Sequence, residues 1–168
     1  MTSPLCDTSA HQPPIDLLIV DDEEPIRRLL MAYFEDFDAF SVRAAASGEE
    51  ALEALAARHA DLCVVDMRLP GMNGEQFILE AAGRAMCRHF LVHTGSVDMN
   101  PGQALRAVGV GREDVFVKPH DAARLAERIR HVLGRHGVHD TPPRATEDTK
   151  TEGDARPADA PADLRNPR

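Results

Sequence analysis

Five short apolar segments alternate with five amphipathic helical patterns, and this alternation constrains the fold more than any other feature. Residues 15–20 form a short, partly β-branched apolar run, which is typical of a strand buried on both faces. From Ile26 to Phe34, apolar residues then recur at the spacing of an amphipathic helix, with Pro25 in the first turn. Because crossover helices cover both faces of a parallel sheet, the alternation predicts an α/β fold with a five-stranded parallel sheet.

Local signals place the remaining elements. Residues 47–50 form a capping-box pattern that predicts the start of the second helix. Asn100 and Pro101 are expected to begin the fourth helix, with Ala104, Leu105 and Val108 on one side, and Asp121 to begin the last. The third helix is predicted through Phe77, Ile78 and Ala81. The other strands are predicted at residues 40–44, 62–66, 90–94 and 115–118.

Polar residues follow four of the predicted strands. Asp21 and Asp22 come directly after the first strand, and Asp66 ends the third. Two like charges about 4 Å apart repel by about 4 kcal/mol at an effective dielectric near 20, so such a cluster needs compensation. Thr94 and Lys118 end the fourth and fifth strands. Since ligands of doubly wound sheets bind beyond the carboxyl ends of the strands, we expect all five side chains to converge.

Three carboxylates in one open site favour a hard divalent cation, and magnesium suits such oxygen ligands. A lysine and a hydroxyl beside the metal also suit phosphoryl chemistry, in which an aspartate is able to act as nucleophile. The competing interpretation of residues 21–24 is an acidic helix N-terminus, worth about 0.3 to 1 kcal/mol per carboxylate. That interpretation is adequate for Glu23 and Glu24, whereas the other strand-end residues favour a site for Asp21 and Asp22.

Over roughly residues 15–136 the sequence resembles the receiver domains of bacterial two-component response regulators. The resemblance implies a flavodoxin-like sheet with strand order 2-1-3-4-5 and helices on both faces. It rests on four motifs in the family's order and spacing, namely Asp21-Asp22, residues 66–74 (DMRLPGMNG), Thr94-Gly95 and Lys118-Pro119.

The resemblance also implies roles for the acidic residues. Asp66 would accept a phosphoryl group from a sensor histidine kinase or a histidine phosphotransfer protein. Asp22 would bind Mg²⁺ directly and Asp21 mainly through water. Asp66 itself and the backbone carbonyl of Arg68 would be further metal ligands.

Thr94 and Lys118 resemble the family's hydroxyl and lysine, which bond phosphoryl oxygens. The peptide bond before Pro119 is expected to be cis. One position differs from the family pattern, because Val115 stands where a switch tyrosine or phenylalanine is common. Its neighbour Phe116 should point to the opposite face of a regular strand.

The composition of the chain limits its possible partners and location. The chain has 168 residues and a formal net charge of -9. The acidic balance argues against nucleic acid as a partner. Residues 1–14 show no secretory signal, no apolar run is long enough to span a membrane, and we expect a cytoplasmic protein. Residues 140–168 contain seven acidic residues, five basic residues and five prolines, and we interpret both this tail and residues 1–14 as disordered.

The resemblance implies a receiver domain, which we place at residues 15–139, and we expect a single-domain response regulator. Its output would be phosphorylation-dependent binding to an unknown protein target, or phosphorelay. We expect no enzymatic activity beyond its own phosphoryl transfer and slow autodephosphorylation. A haloacid-dehalogenase-type magnesium phosphatase is disfavoured because Arg68 stands where that family needs an acidic residue. The other alternative is a receiver-like scaffold that is not phosphorylated. We interpret His93 and His120, which flank site residues, as incidental neighbours of the site.

Overall fold

A computed structural model describes residues 13–134, so the tail at residues 140–168 and nearly all of the N-terminal segment lie outside the described residues. Strands and helices alternate strictly along the described chain, as the apolar pattern predicts. A short 3₁₀ helix, Arg112–Asp114, precedes the last strand. The elements are β1 (Ile15–Val20), α1 (Glu24–Glu35), β2 (Phe40–Ala45), α2 (Gly48–Ala57), β3 (Ala60–Val65), α3 (Gly74–Gly83), β4 (Cys87–Thr94), α4 (Gln103–Ala107), β5 (Val115–Val117) and α5 (Ala122–Val132).

The five strands form one parallel sheet in the order β2-β1-β3-β4-β5, which confirms the predicted fold class and strand order. The ends of the strands are aligned. Val20 pairs in register with Val65, Val65 with Val92, and Thr94 with Val117. Residues that follow these positions therefore meet at one edge of the sheet.

Side-chain alternation along the strands divides the core into two apolar layers. One layer packs α2, α3 and α4 against the sheet through Leu55, Phe77 and Leu105. The other packs α1 and α5 on the opposite face, through residues that include Phe34 and Ile129. Within residues 13–134, none of the helices combines the length and the apolarity that crossing a bilayer requires.

Capping contacts confirm two of the predicted helix starts. The Ser47 hydroxyl accepts a hydrogen bond from the Glu50 amide at 3.1 Å, and the Glu50 carboxylate accepts one from the Ala46 amide at 2.7 Å. The Asp121 carboxylate accepts a bond from the Ala123 amide at 2.9 Å and caps α5. Each contact satisfies an amide that the helix itself leaves unpaired.

The predicted start of the fourth helix is wrong by two residues. Helix α4 begins at Gln103, after an N-cap at Gly102, and has only five residues. The Asn100 side chain, expected as the cap, instead accepts a hydrogen bond from Arg112 Nε at 3.2 Å. Leu105 is buried as predicted, but Ala104 is exposed, because so short a helix presents little more than one side chain to the core.

Candidate functional site

Three carboxylates meet at the carboxyl edge of the sheet. Asp21 and Asp22 follow β1, and Asp66 follows the neighbouring strand β3; ligand oxygens of all three lie within 4.8 Å of one another. Asp21 and Asp66 are buried, with 2% and 5% of their surface exposed, whereas Asp22 is exposed. Backbone amides orient the buried pair. The Glu23 amide donates to Asp21 Oδ1 at 2.9 Å, and the Arg68 amide donates to Asp66 Oδ1 at 3.2 Å.

Lys118 supplies the positive charge among these groups. Its Nζ lies 2.7 Å from Asp21 Oδ2, 2.9 Å from Asp66 Oδ2 and 3.0 Å from Glu23 Oε1. Burial alone lowers the pKa of a lysine, but the contacts with these three carboxylates outweigh burial and raise the pKa of Lys118 above its ordinary value. The ammonium group therefore stays protonated at physiological pH.

One carboxylate oxygen of the cluster is poorly satisfied. Asp21 Oδ2 is buried and has no hydrogen-bond partner among the described residues, although Lys118 Nζ lies 2.7 Å away. Burial raises the pKa of Asp21, although Lys118 and the Glu23 amide oppose the rise. A buried oxygen in this condition, beside Asp22 and Asp66, fits a site that accepts a cation. The donor set is entirely carboxylate oxygen, which suits a hard divalent cation such as magnesium.

Thr94 lies beside this cluster at the end of β4. Its side chain is fully buried, and its hydroxyl accepts a hydrogen bond from the Ser96 amide at 3.3 Å. Its carbonyl accepts one from the Lys118 amide at 2.8 Å, which ties the ends of β4 and β5 together. The Lys118-Pro119 peptide bond is cis, as the resemblance implied.

Close approaches involve two glycines at this edge, and one of the two positions, that of Gly74, requires glycine. A Cβ atom on Gly74 would lie 2.2 Å from the Asp66 carbonyl oxygen, so only glycine lets α3 begin directly against the chain that follows β3. A Cβ atom on Gly95 would lie 3.0 Å from Arg68 Nη2, the end of a flexible side chain. Gly74 therefore fixes the position of the loop that follows β3, and Gly95 leaves room for the Arg68 side chain.

Two residues at or near the site have environments that differ from the simplest interpretation of the sequence. Glu23, treated as an ordinary helix N-terminus residue, contacts Lys118, which lies 95 positions away. His93, interpreted as an incidental neighbour, is 5% exposed, and its buried Nδ1 atom has no hydrogen-bond partner within residues 13–134. Burial, and then the charge of Lys118, lower the pKa of His93 to about 4. The position of His93 in a buried strand was an available signal, whereas nothing local indicated the contact of Glu23.

The strand β5 presents different residues to the two faces of the sheet, as predicted. Val115 packs on the layer formed with α2, α3 and α4, and Phe116 belongs to the layer of α1 and α5. The Phe116 ring contacts the His120 ring edge to face, with 4.7 Å between centroids. The strand therefore presents no aromatic ring where the family commonly has one.

An open parallel sheet with clustered carboxylates and a lysine at its carboxyl edge defines a doubly wound α/β protein, and the oxygen donor set suits a divalent cation. Residues 17–130 match the family described as the response regulator receiver domain. The chain belongs to this family, whose members receive phosphoryl groups from histidine kinases or phosphotransfer proteins.

Curated relatives agree with this assignment. The chain is 35% identical over 114 residues to the Regulator of RpoS of Escherichia coli K12, covering 67% of this chain and 33% of that protein. It is 32% identical over 123 residues to protein-glutamate methylesterase/protein-glutamine glutaminase 2 of Rhodopseudomonas palustris, covering 71% and 32%. Response regulator Rre1 of Synechocystis is 30% identical, with coverage of 73% and 53%. The chain thus spans about a third to a half of the length of these relatives.

Solved structures show the same fold over nearly their whole length. Chemotaxis response regulator CheY4 of Vibrio cholerae superposes with a TM-score of 0.62 at 26% identity, covering 71% of this chain and 99% of that one. The REC domain of AraT, a response regulator from Geobacillus stearothermophilus, gives a TM-score of 0.59 at 33% identity, covering 72% and 94%. These structures therefore support a receiver fold for the described residues.

Proposed function

We propose that this chain is a phosphoryl-accepting receiver in which Asp66 takes a phosphoryl group from a phosphohistidine of a sensor histidine kinase or a histidine phosphotransfer protein. The observation that carries the proposal is the 2.9 Å contact between Lys118 Nζ and Asp66 Oδ2. This contact places a permanent cation beside a buried carboxylate that shares its pocket with two further aspartates. A nucleophile, a charge-stabilising group and a cation site are thereby combined.

In the transfer step a carboxylate oxygen of Asp66 attacks phosphorus and forms a P–O bond. The P–N bond to the donor imidazole breaks, its electron pair stays on nitrogen, and the leaving imidazole is neutral once its protonation adjusts to the solvent. The Arg68 amide holds the acceptor carboxylate through Oδ1. Lys118 donates to one phosphoryl oxygen and the Thr94 hydroxyl to another, so both stabilise the charge of the group in flight.

The cation site is assigned to magnesium. Asp21, Asp22 and Asp66 would hold it, together with the backbone carbonyl of Arg68, and Asp22 is its most exposed charged ligand. When bound, the ion supplies positive charge that offsets repulsion between the carboxylates and the phosphoryl oxygens. Asp21, whose Oδ2 has no hydrogen-bond partner among the described residues, is the buried residue that gains most from a cation nearby.

The output is proposed to be binding to another protein, or relay of the phosphoryl group, by a receiver domain at residues 15–139 with flanking segments 1–14 and 140–168. Apart from its own phosphorylation and slow dephosphorylation, the chain is proposed to have no enzymatic activity. We propose that the chain binds neither nucleic acid nor membrane and acts in the cytoplasm. The acidic composition of the chain supports this choice, because nucleic-acid binding depends on clustered basic residues.

The chemical nature of the product tests this function. With magnesium and acetyl phosphate, the full chain should gain one phosphoryl group that hydroxylamine removes, because hydroxylamine cleaves an acyl phosphate and leaves a phosphate ester of serine or threonine intact. Intact-protein mass spectrometry before and after hydroxylamine gives the result. A chain that gains no phosphoryl group, or one that is stable to hydroxylamine, would contradict an aspartyl acceptor.

A further inference from the structure

The three carboxylates around Lys118 differ sharply in exposure. A protonated lysine has three N–H donors, and Lys118 Nζ lies within 3.0 Å of an oxygen from each of Asp21, Asp66 and Glu23. The side chains of Asp21 and Asp66 are 2% and 6% exposed, whereas that of Glu23 is 58% exposed. One of the three partners is therefore a solvated carboxylate at the mouth of the site.

The position of Glu23 is not explained by its role in the helix. Glu23 is the N-cap residue of α1, yet its side chain makes no capping hydrogen bond. Glutamate is not among the residues favoured at an N-cap, where short side chains reach the free amides. The carboxylate extends instead to Lys118. Glu24, the next residue, bonds Arg28 on the same helix and is not among the carboxylates that contact Lys118.

We infer that Glu23 is a positioning residue that occupies one N–H donor of Lys118 while Asp66 is unphosphorylated and yields that donor to the incoming phosphoryl oxygen. The inference rests on the proposed function and deepens it. A phosphoryl group on Asp66 needs a donor from Lys118, whose Nζ already has three carboxylate oxygens within 3.0 Å, so one of these neighbours must move to make room for the phosphoryl oxygen. An exposed ion pair is replaced by water at little cost, whereas removing the partner of a buried carboxylate is costly. Glu23 is thus the partner that leaves.

Three variants of the full chain test the inference through binding of beryllofluoride, a phosphoryl mimic, in magnesium buffer. Glu23→Gln removes the charge that competes for Lys118. Glu23→Asp keeps the charge but is one methylene shorter, so its carboxylate falls short of Nζ. Glu24→Gln removes the same charge one residue along and serves as the matched control. Because an exposed pair is worth about 0.2 to 1 kcal/mol, both Glu23 variants should bind beryllofluoride about 1.4- to fivefold tighter than wild type, and Glu24→Gln should not.

A second measurement needs neither magnesium nor the mimic. The NMR signal of the Lys118 ammonium group should move in both Glu23 variants and stay in place in Glu24→Gln, because Glu23 contacts Nζ whereas Glu24 pairs with Arg28. An unmoved signal in the Glu23 variants would overturn the inference without touching the proposed function. Tighter binding by Glu23→Gln alone would also overturn it, since the effect would then be one of charge rather than of contact. Wild-type protein that binds no beryllofluoride would overturn both proposals.

Discussion

The ammonium nitrogen of Lys118 lies 2.9 Å from Oδ2 of Asp66, although 52 residues separate the two in the sequence and β4 lies between their strands in the sheet. Both residues come one position after a strand. The alternation of side chains along β3 and β5 assigns both to the face of the sheet that α1 and α5 cover. They are therefore able to meet beyond the sheet edge, where β4 no longer separates them. This contact connects the candidate acceptor with the charge that would stabilise its product.

Removing the charge of Lys118 should destabilise the protein more at neutral than at acidic pH. Lys118→Met leaves Asp21 and Asp66 buried without their cation, which should lower the free energy of unfolding by about 3 kcal/mol near pH 7. Contact with Lys118 lowers the pKa of Asp21, so its loss raises that pKa further above the unfolded value. A raised carboxyl pKa means that the folded state binds the extra proton, so stability falls as pH rises.

Urea unfolding followed by circular dichroism near pH 7 and near pH 5 measures this difference. Arg124→Met, which removes one positive charge from an exposed residue of α5, is the control. The account expects the loss in Lys118→Met to shrink toward pH 5 and the control to change little at either pH. An equal loss at both values would mean that Lys118 acts through packing alone.

Metal addition should stabilise the protein through the carboxylate cluster. Magnesium that binds only the folded state raises the thermal midpoint, and the rise grows with the logarithm of the ratio of its concentration to its dissociation constant. Asp22→Ala removes the exposed charged ligand and should abolish most of the rise, whereas Glu24→Gln, which carries the same charge change outside the cluster, should retain it. A scan of midpoint against magnesium concentration checks this. An unchanged rise in Asp22→Ala would place the cation elsewhere.

His93 should make stability depend on pH below neutrality. Its folded pKa of about 4 lies below the ordinary 6.5, so the unfolded chain binds a proton first as pH falls. The stability that depends on neutral His93 is fully present above about pH 6.5 and is lost as the pH falls toward about 4. This loss is on the order of 2 to 3 kcal/mol of unfolding free energy. Lys118, Asp66, His120 and Glu23 contribute charge at this position. His93→Leu should therefore unfold with a shallower pH dependence than wild type.

The same denaturant series with His59→Gln, at an exposed histidine, serves as the reference for His93→Leu. That variant should keep the wild-type slope between about pH 6.5 and pH 4. If His93→Leu retains the full wild-type slope, the buried imidazole is not the group that titrates, and another residue must account for the acid sensitivity.

Much of the fold was predictable because the signals are local. A short apolar run marks each strand, and helical spacing marks each long helix. The first and last residues of strands and helices were less predictable where they depend on contacts between residues that are distant in the sequence. Strand β4 begins at Cys87 rather than at Phe90, since Arg88 and His89 interrupt the apolar pattern while the backbone still pairs with β3. Helix α4 begins late because Asn100 bonds Arg112, a partner that the sequence around Asn100 does not reveal.

The part of the site that could be predicted consists of residues that directly follow strands. Asp21, Asp22, Asp66 and Lys118 were expected together because each follows a strand of a parallel sheet, and the structure brings them together. Their chemical roles stay predictions. The contact of Glu23 could not be read from spacing, because it depends on a side chain turning away from its own helix.

The central claim is that Asp66 is the phosphoryl acceptor, and phosphorylation by acetyl phosphate in magnesium buffer tests it most directly. Asp98→Asn is the matched control, since it makes the same change at an exposed carboxylate in the loop after β4. Intact-protein mass spectrometry should show one added phosphoryl group on wild type and on Asp98→Asn, and none on Asp66→Asn. Labelling of Asp66→Asn to the wild-type extent would contradict the account.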